Sequence, residues 1–364
     1  MFYFCAYSKT ANIMVKKFCL FSMIAFLFSS RLFAQDTVKV STLAGLDYTA
    51  EKLYNSGIAK YASKDYNGAI ADFTQAISIN GSFYKAFLNR GIAKYELKDV
   101  QGAIFDFSQS ITLSHDSCEL CYYSRAQARY AIGSKSEAAQ DYGKTISMNP
   151  NHAQAYYYRG GILFEIGEYK SAIEDFDNAI KIKPDYAYAY NDRGSAKRQL
   201  EDYSGAAADY KKAVELKPDM AFAYSNLGSM LRKKGDMKGA ITAYDNSLRI
   251  KENYLTYNNR GSAKFDLEDY QGAIDDFSKS VKLKSDYAIA YNNRGAAKFK
   301  LKDYKGAISD YDKAITYNTK YAYAFLNRGM AKELIRDKQG ACKDWESAVN
   351  LGVEQGKNYL QDCK

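Results

Sequence analysis

The chain is short of the residues that carry much of protein chemistry. It has one tryptophan, three prolines and two histidines in 364 residues. With only His115 and His152 available, a histidine-built metal site or proton relay has almost no material. No HExxH, GxSxG or GxxxxGK[ST] motif occurs, so zinc hydrolases, serine hydrolases and phosphate-loop enzymes have no signature here. The many Asp and Glu recur at fixed intervals, as surface and structural charge does, and no catalytic residue or cofactor is expected. The three prolines, Pro150, Pro184 and Pro218, stand 34 residues apart. Proline cannot continue a helix, so this phase lies between helices.

Acidic residues are absent from positions 1–34. Lys16 and Lys17 precede an apolar run over 18–28, and a short stretch ends at Phe33 and Ala34. Basic, apolar, then small is the layout of a secretory signal, with Met14 a candidate start and a cut expected after Ala34. An amphipathic leader that stays attached is the alternative. The apolar run is too short to span a bilayer, so no transmembrane span is expected in the mature chain. Cleavage would remove Lys9, Lys16, Lys17 and Arg31, leaving 47 basic against 42 acidic residues and a net charge of +5. That excess is too small to point to nucleic acid. Export to the periplasm or outside the cell is the expected location.

What the chain has in quantity is a period. Gly57, Gly91, Ala126, Gly160, Gly194, Gly228, Gly261, Gly295 and Gly329 are spaced by 34, 35, 34, 34, 34, 33, 34 and 34 residues. Such a period means stacked repeats. With the glycine as position 8, position 4 is Leu53, Phe87, Tyr122, Tyr156, Tyr190, Tyr224, Tyr257, Tyr291 and Phe325. Position 20 is always alanine, position 24 always aromatic (Phe73 to Trp345), and position 27 always Ala, Ser or Thr. Positions 4, 8 and 11 recur at helical spacing, as do 20, 24 and 27. Between them, position 16 is Asp65, Asp99, Asp202, Asp236, Asp269, Asp303 and Asp337, each suited to cap a second helix. The position-8 glycine is expected to let the two helices approach at the position-20 alanine, as at Gly194 and Ala206.

These positions resemble the tetratricopeptide repeat family over about residues 50–352. In residues 187–220 the family's places hold Tyr190, Gly194, Ala206, Tyr210, Ala213 and Pro218. The resemblance implies an all-α, right-handed superhelical solenoid of antiparallel helix pairs. About nine repeats over 50–352 would follow a linker over 35–49 and precede a capping helix over 353–364. Position 7 departs from the family, being mostly arginine in place of leucine.

That arginine varies with an aspartate at position 23. Arg90 goes with Asp106, Arg193 with Asp209 and Arg294 with Asp310, whereas the sixth repeat has Leu227 and Ala243. An ion pair inside each repeat is expected. Repeat one has Ser56 opposite Asp72, so Asp72 is expected to lean on Arg90 or on water. Position 11, basic in seven repeats from Lys60 to Lys332, is expected to cover apolar surface and reach water or nearby carboxylates.

Four cysteines follow the leader. Cys342, at position 21, faces Cys363 across an antiparallel pair, so a disulfide is expected, with two buried thiols the alternative. Cys118 and Cys121 form a CxxC at a helix start. A local disulfide is favoured over free thiols, and over metal or redox chemistry with His115, since three ligands make a weak zinc set.

The resemblance also implies a concave groove lined by positions 2, 5, 9, 12 and 13. At positions 5 and 12, Tyr54, Tyr61, Tyr95, Tyr123, Tyr130, Tyr157 and Phe164 give an aromatic half, and Asn191, Arg198, Arg232, Asn258 and Asn292 a polar half. Aromatics anchor a partner and asparagine hydrogen-bonds a peptide backbone. Packing between neighbouring helices is the alternative for any single tyrosine. The lysine and asparagine of the family's carboxylate clamp are absent. A non-catalytic scaffold for an envelope protein or peptide is therefore expected. Glycan or small envelope-component binding by the aromatic half is the second reading.

The ion pair makes a test. Arg193→Leu should cost about 3–5 kcal/mol, and adding Asp209→Ala should recover much of it. Urea midpoints of the single and double variants check this.

Overall fold

A computed structural model describes residues 45–363. The leader over 1–34, its cut after Ala34 and the linker up to residue 44 lie outside the described residues. Those described hold nineteen α-helices, a closing 3-10 turn and no strand. The chain divides between Ala196 and Lys197 into two compact units.

In the first unit, α1 (Gly45–Ala62), α2 (Tyr66–Ile79), α3 (Tyr84–Glu96), α4 (Val100–Leu113), α5 (Glu119–Ala131), α6 (Lys135–Met148), α7 (Ala153–Ile166) and α8 (Tyr169–Ile182) pair as four hairpins stacked in chain order. The unit boundary falls within α9 (Ala187–Gln199). The second unit holds α10 (Tyr203–Leu216), then the hairpins of α11 (Ala221–Lys233) with α12 (Met237–Ile250), and α13 (Tyr254–Asp266) with α14 (Tyr270–Leu283). The pairs α15 (Ala288–Lys300) with α16 (Tyr304–Tyr317), and α17 (Ala322–Leu334) with α18 (Lys338–Asn350), follow. Last come α19 (Gly356–Leu360) and the turn Gln361–Cys363. The class is the all-α solenoid of paired helices.

Each hairpin is built by the same local chemistry. Position 15 turns the chain through the left-handed region, at φ 67° for Lys64, 68° for Lys98 and 86° for Gly133. A side chain there costs about 1–2 kcal/mol, offset by the packing of the helices it joins. The position-16 aspartate then caps the second helix by accepting from the backbone N–H three residues on, at 2.9 Å for Asp65 with Gly68 and 3.0 Å for Asp269 with Gly272. Ser134 and Glu168, at this place in repeats three and four, make no such side-chain bond.

All nine position-20 alanines, from Ala69 to Ala341, are fully buried. The glycine at position 8 does something other than expected. Its missing side chain makes room chiefly for the position-24 ring, since a Cβ on Gly91 would lie 2.7 Å from Phe107 Cε1 and one on Gly295 2.7 Å from Tyr311 Cε1. The hydroxyl at position 27 adds a bond to the carbonyl of position 1, as Ser110 to Tyr84 (2.8 Å) and Ser247 to Ala221 (2.7 Å).

Both ends differ from expectation. Residues 45–49, placed in the linker, already belong to α1, because no proline or competing cap interrupts the helix there. The cap is not one helix over 353–364. Gly352, at φ 94°, ends α18, and only the five residues of α19 and the 3-10 turn follow. The cover is nonetheless well packed: Tyr359 stacks on Trp345 with ring centroids 5.1 Å apart, and Leu360 and Val353 join the same cluster. Cys342 and Cys363 are bonded there, their Cα atoms 5.8 Å apart.

Gly295→Ala tests the ring contact. Helix propensity alone would favour alanine by about 1 kcal/mol, but the clash with Tyr311 should leave a net loss of about 1–3 kcal/mol. A fall in the urea midpoint is the expected outcome, and a rise would remove the packing account.

Candidate binding surface

The position-23 aspartates lie inside the hairpins. Asp106 is fully buried and Asp310 nearly so. Arg90 donates to Asp106 from Nε (2.9 Å) and Nη2 (2.7 Å), and Arg294 donates to Asp310 the same way at 2.9 and 2.6 Å. Where position 11 is basic it completes the cluster, with Lys94 2.8 Å from Asp106 and Lys298 2.8 Å from Asp310; in repeat four the place is Leu163 and Asp175 holds Arg159 alone. Each guanidinium also lies over the position-4 ring, 5.3 Å from the Phe87 centroid for Arg90 and 5.4 Å from Tyr291 for Arg294. Arg193 and Asp209 fall in different units; within its own unit Asp209 holds Lys197 at 2.8 Å.

Asp72 does not lean on Arg90. Ser56 donates to it at 2.7 Å and Lys60 sits at 2.7 Å. Burial alone would raise its carboxyl, but the bonds from Lys60 and Ser56 and the Lys60 charge hold it below the usual carboxylate range. Arg90 is occupied elsewhere, its Nη1 reaching back to Thr74 at 3.1 Å.

This backward arm was not expected from the sequence. It runs from the arginine to position 25 of the preceding repeat: Arg125 to Ser108 (3.1 Å), Arg193 to Asp177 (2.5 Å), Arg260 to Asp245 (2.6 Å), Arg294 to Ser278 (3.1 Å) and Arg328 to Asp312 (2.6 Å). In repeat six, Leu227 replaces the arginine, and position 25 before it is Lys211, which would repel one. That co-variation was the available signal.

The face shared by the first helices carries a second set of bonds between repeats. Position 5 meets position 6 of the next repeat, 35 residues on. Asn89 donates to Tyr54 (2.9 Å), Tyr157 to Asp192 (2.8 Å), Asn293 to Asn258 (3.0 Å) and Asn327 to Asn292 (3.0 Å). Position 12 meets position 13, with Tyr130 donating to Glu165 (2.6 Å) and Arg232 to Asp266 (2.8 Å). Aligning each repeat one residue out of step with the next would have revealed the pattern. It stops at Asn327, whose buried Oδ1 has no partner among the described residues. In the two repeats before, the position-5 amide points to that oxygen, as Asn292 to Asn293 at 3.3 Å, but here position 5 is Leu326.

These bonds correct the expected polar half of the groove. Asn191, Asn258 and Asn292 are 4, 5 and 1 % exposed and hydrogen-bonded within the protein, so they cannot meet a peptide backbone. Arg232 is held by Asp266. Tyr157 and Phe164, in the aromatic half, are buried as well. Tyr54, Tyr61, Tyr95, Tyr123, Tyr130 and Arg198 remain partly exposed.

Around Tyr123 the aromatics form a continuous cluster. Its ring centroid lies 4.7 Å from His152 and 5.8 Å from Tyr142, and Tyr142 stacks on Tyr158 at 5.8 Å. His152 caps α7 by accepting at Nδ1 from the Ala155 N–H (3.1 Å), while Nε2 lies 3.3 Å from Glu119. Burial lowers its pKa against the pull of Glu119. Cys118 and Cys121 are bonded to each other, so the His-x-x-Cys-x-x-Cys set offers no free thiolate, and His115 is exposed in the loop before them. Among the described residues no three His, Cys, Asp or Glu converge as a metal site would need, and no helix is long and apolar enough to cross a membrane.

Hairpins repeated at one period, all but the sixth with a buried aspartate at position 23, make a helical-repeat scaffold for protein–protein interaction. The chain belongs to the tetratricopeptide repeat family, whose models match residues 123–187, 194–231, 223–254, 261–302 and 288–321, about half of it in all. Proteins of this kind are in general non-catalytic.

No curated protein matches the sequence. Among solved structures, the C-terminal part of a TPR repeat-containing protein from Cytophaga hutchinsonii is 20 % identical, with a TM-score of 0.55 over 65 % of this chain and 99 % of that one. A tetratricopeptide repeat protein from Parabacteroides merdae is 17 % identical, with a TM-score of 0.50 over 69 and 99 %. Both likenesses are of fold. MamA is 26 % identical over 45 % of this chain and 96 % of its own, with a TM-score of 0.42.

The buried tyrosines give a pH test. Burial, then neighbouring Tyr84, pushes Tyr54 up to about 12, and burial holds Tyr142 and Tyr311 well above the ordinary value. The folded state thus keeps the neutral phenol that the unfolded chain loses near pH 10. This stabilisation is full below about pH 10 and is lost as pH rises through the folded values. Urea midpoints should hold up to about pH 10 and fall above it, with a fraction of the tyrosines ionising late by ultraviolet absorbance.

Proposed function

We propose that the chain is a non-catalytic scaffold of the cell envelope or secreted space that holds a partner protein segment against the first-helix face of repeats one to four. The observation that carries this reading is the set of partly exposed tyrosines there, Tyr54, Tyr61, Tyr95, Tyr123 and Tyr130, set against the sealed asparagines of later repeats. Tyrosine offers a large contact surface with little rotamer freedom to lose, which suits it to anchor a segment.

The exported location is supported by the basic–apolar–small pattern of residues 1–34 and by two bonded cysteine pairs, which persist in oxidising compartments.

Proximity crosslinking of the mature chain in its native envelope, beside a Tyr95→Ala/Tyr130→Ala variant of matched melting temperature, tests the reading. One partner crosslinked by the wild type and lost from the variant is the expected result. A partner retained by the variant would move the contact elsewhere. Absence of any protein partner, with polysaccharide protecting repeats one to four from proteolysis, would replace a protein ligand with a glycan.

A further inference from the structure

Arg159 breaks the pattern of backward arms. Its Nε and Nη2 hold Asp175 at 2.8 and 2.7 Å like the others. The residue at position 25 of the preceding repeat is Gly143, so Nη1 has no hydrogen-bond partner among the described residues. Its side chain is 29 % exposed, against 13–17 % for Arg90, Arg125, Arg193, Arg260, Arg294 and Arg328.

The vacancy is an open cavity of about 450 Å³ between α6 and α7. Arg159 and Gly143 line it with Ala139, Gln140, Ile162 and Ile166. Ile162 is buried beneath it, and Ile166 stands 57 % exposed at its side. Packing does not demand the glycine. A Cβ on Gly143 would meet nothing nearer than Arg159 Nη1, at an ordinary 3.6 Å. A glycine inside a helix is otherwise a loss relative to alanine. The space it leaves sets this seam apart from those whose position 25 carries a side chain.

The other repeats show what fits the space. At three seams an aspartate of this chain occupies it, with Asp177, Asp245 and Asp312 accepting from the guanidinium at 2.5–2.6 Å. Arg260 and Arg328 each carry two carboxylates in this way, one from their own hairpin and one from the hairpin before. Arg159 carries one.

We propose that the α6–α7 seam is a second binding site, separate from the first-helix face, that takes an aspartate side chain of a protein partner in the place left by Gly143. The carboxylate accepts from Arg159 Nη1, and aliphatic residues flanking it cover Ile162 and Ile166. The exposed Ile166 extends the apolar contact beyond the cavity, which suits a chain segment better than a small acid. The charge-assisted bond gives preference for acid over amide.

The test uses the full chain with isotope-labelled isoleucine methyls, and N-acetyl-Leu-Asp-Leu-amide as probe beside its Leu-Asn-Leu counterpart. The aspartate peptide should shift the Ile162 and Ile166 methyl signals in a saturable way and bind about tenfold more tightly than the asparagine peptide. Gly143→Asp should supply the carboxylate internally, raise the melting temperature and abolish the shifts. Ile166→Ser should weaken binding while leaving the Arg159–Asp175 pair intact. Equal binding of the two peptides, retained binding in Gly143→Asp, or no shift with the aspartate peptide would each overturn the proposal.

Discussion

A buried carboxylate in every hairpin but the sixth governs its surroundings. A charge removed from water is tolerable only when paired and hydrogen-bonded, so Asp106, Asp276, Asp310 and Asp344 each gather an arginine and a lysine from the facing helix. Bidentate pairing fixes the plane of the guanidinium. Once fixed, the group covers the position-4 ring and turns its remaining edge toward the preceding repeat. One charge therefore specifies the closure of its own hairpin and its seating on the one before. Repeat six dispenses with the arrangement: Leu227 and Ala243 replace both partners with apolar groups, the substitution that leaves no charge stranded.

Stacking and recognition draw on the same surface. Every side chain that ties position 5 to position 6 of the next repeat is withdrawn from an outside ligand. The asparagines of repeats seven and eight are wholly committed, whereas the tyrosines of the first repeats spend only their hydroxyls and leave ring surface accessible. A phenol can do both because its polar tip and its apolar body are separate. An amide, whose two heavy atoms beyond the carbonyl carbon are both polar, cannot.

Much of this was legible in the sequence because it repeats at a fixed interval. The period, the helix pairs, the capping aspartates and the pairing of Arg294 with Asp310 each recur at constant spacing with constant residue types. What escaped was variable in type or offset in phase. The backward arm ends on Thr74, Ser108, Asp177 or Asp245, residues with no common appearance in a column. The position-5 bonds join unlike neighbours such as Tyr157 and Asp192 across the repeat boundary. Polar identity misled where burial decided: Asn258 and Asn292 read as ligand contacts because nothing local says that their partners are Asn293 and Asn327. The shortened cap followed from Gly352, whose left-handed turn is invisible until the chain after it is placed.

The bonded pair Cys342–Cys363 gives the second unit an asymmetry of another kind. In a stack where each hairpin touches only its neighbours, disorder enters at an unprotected end and spreads inward. Here the outermost helix and the hairpin beneath it are closed into a covalent loop, with Trp345 and Tyr359 stacked inside it. A force or a protease arriving at the C-terminus cannot peel the last helix away without breaking that bond. The molecule thus has a tethered side from which unravelling does not begin, and mechanical load applied there passes directly into the hairpin.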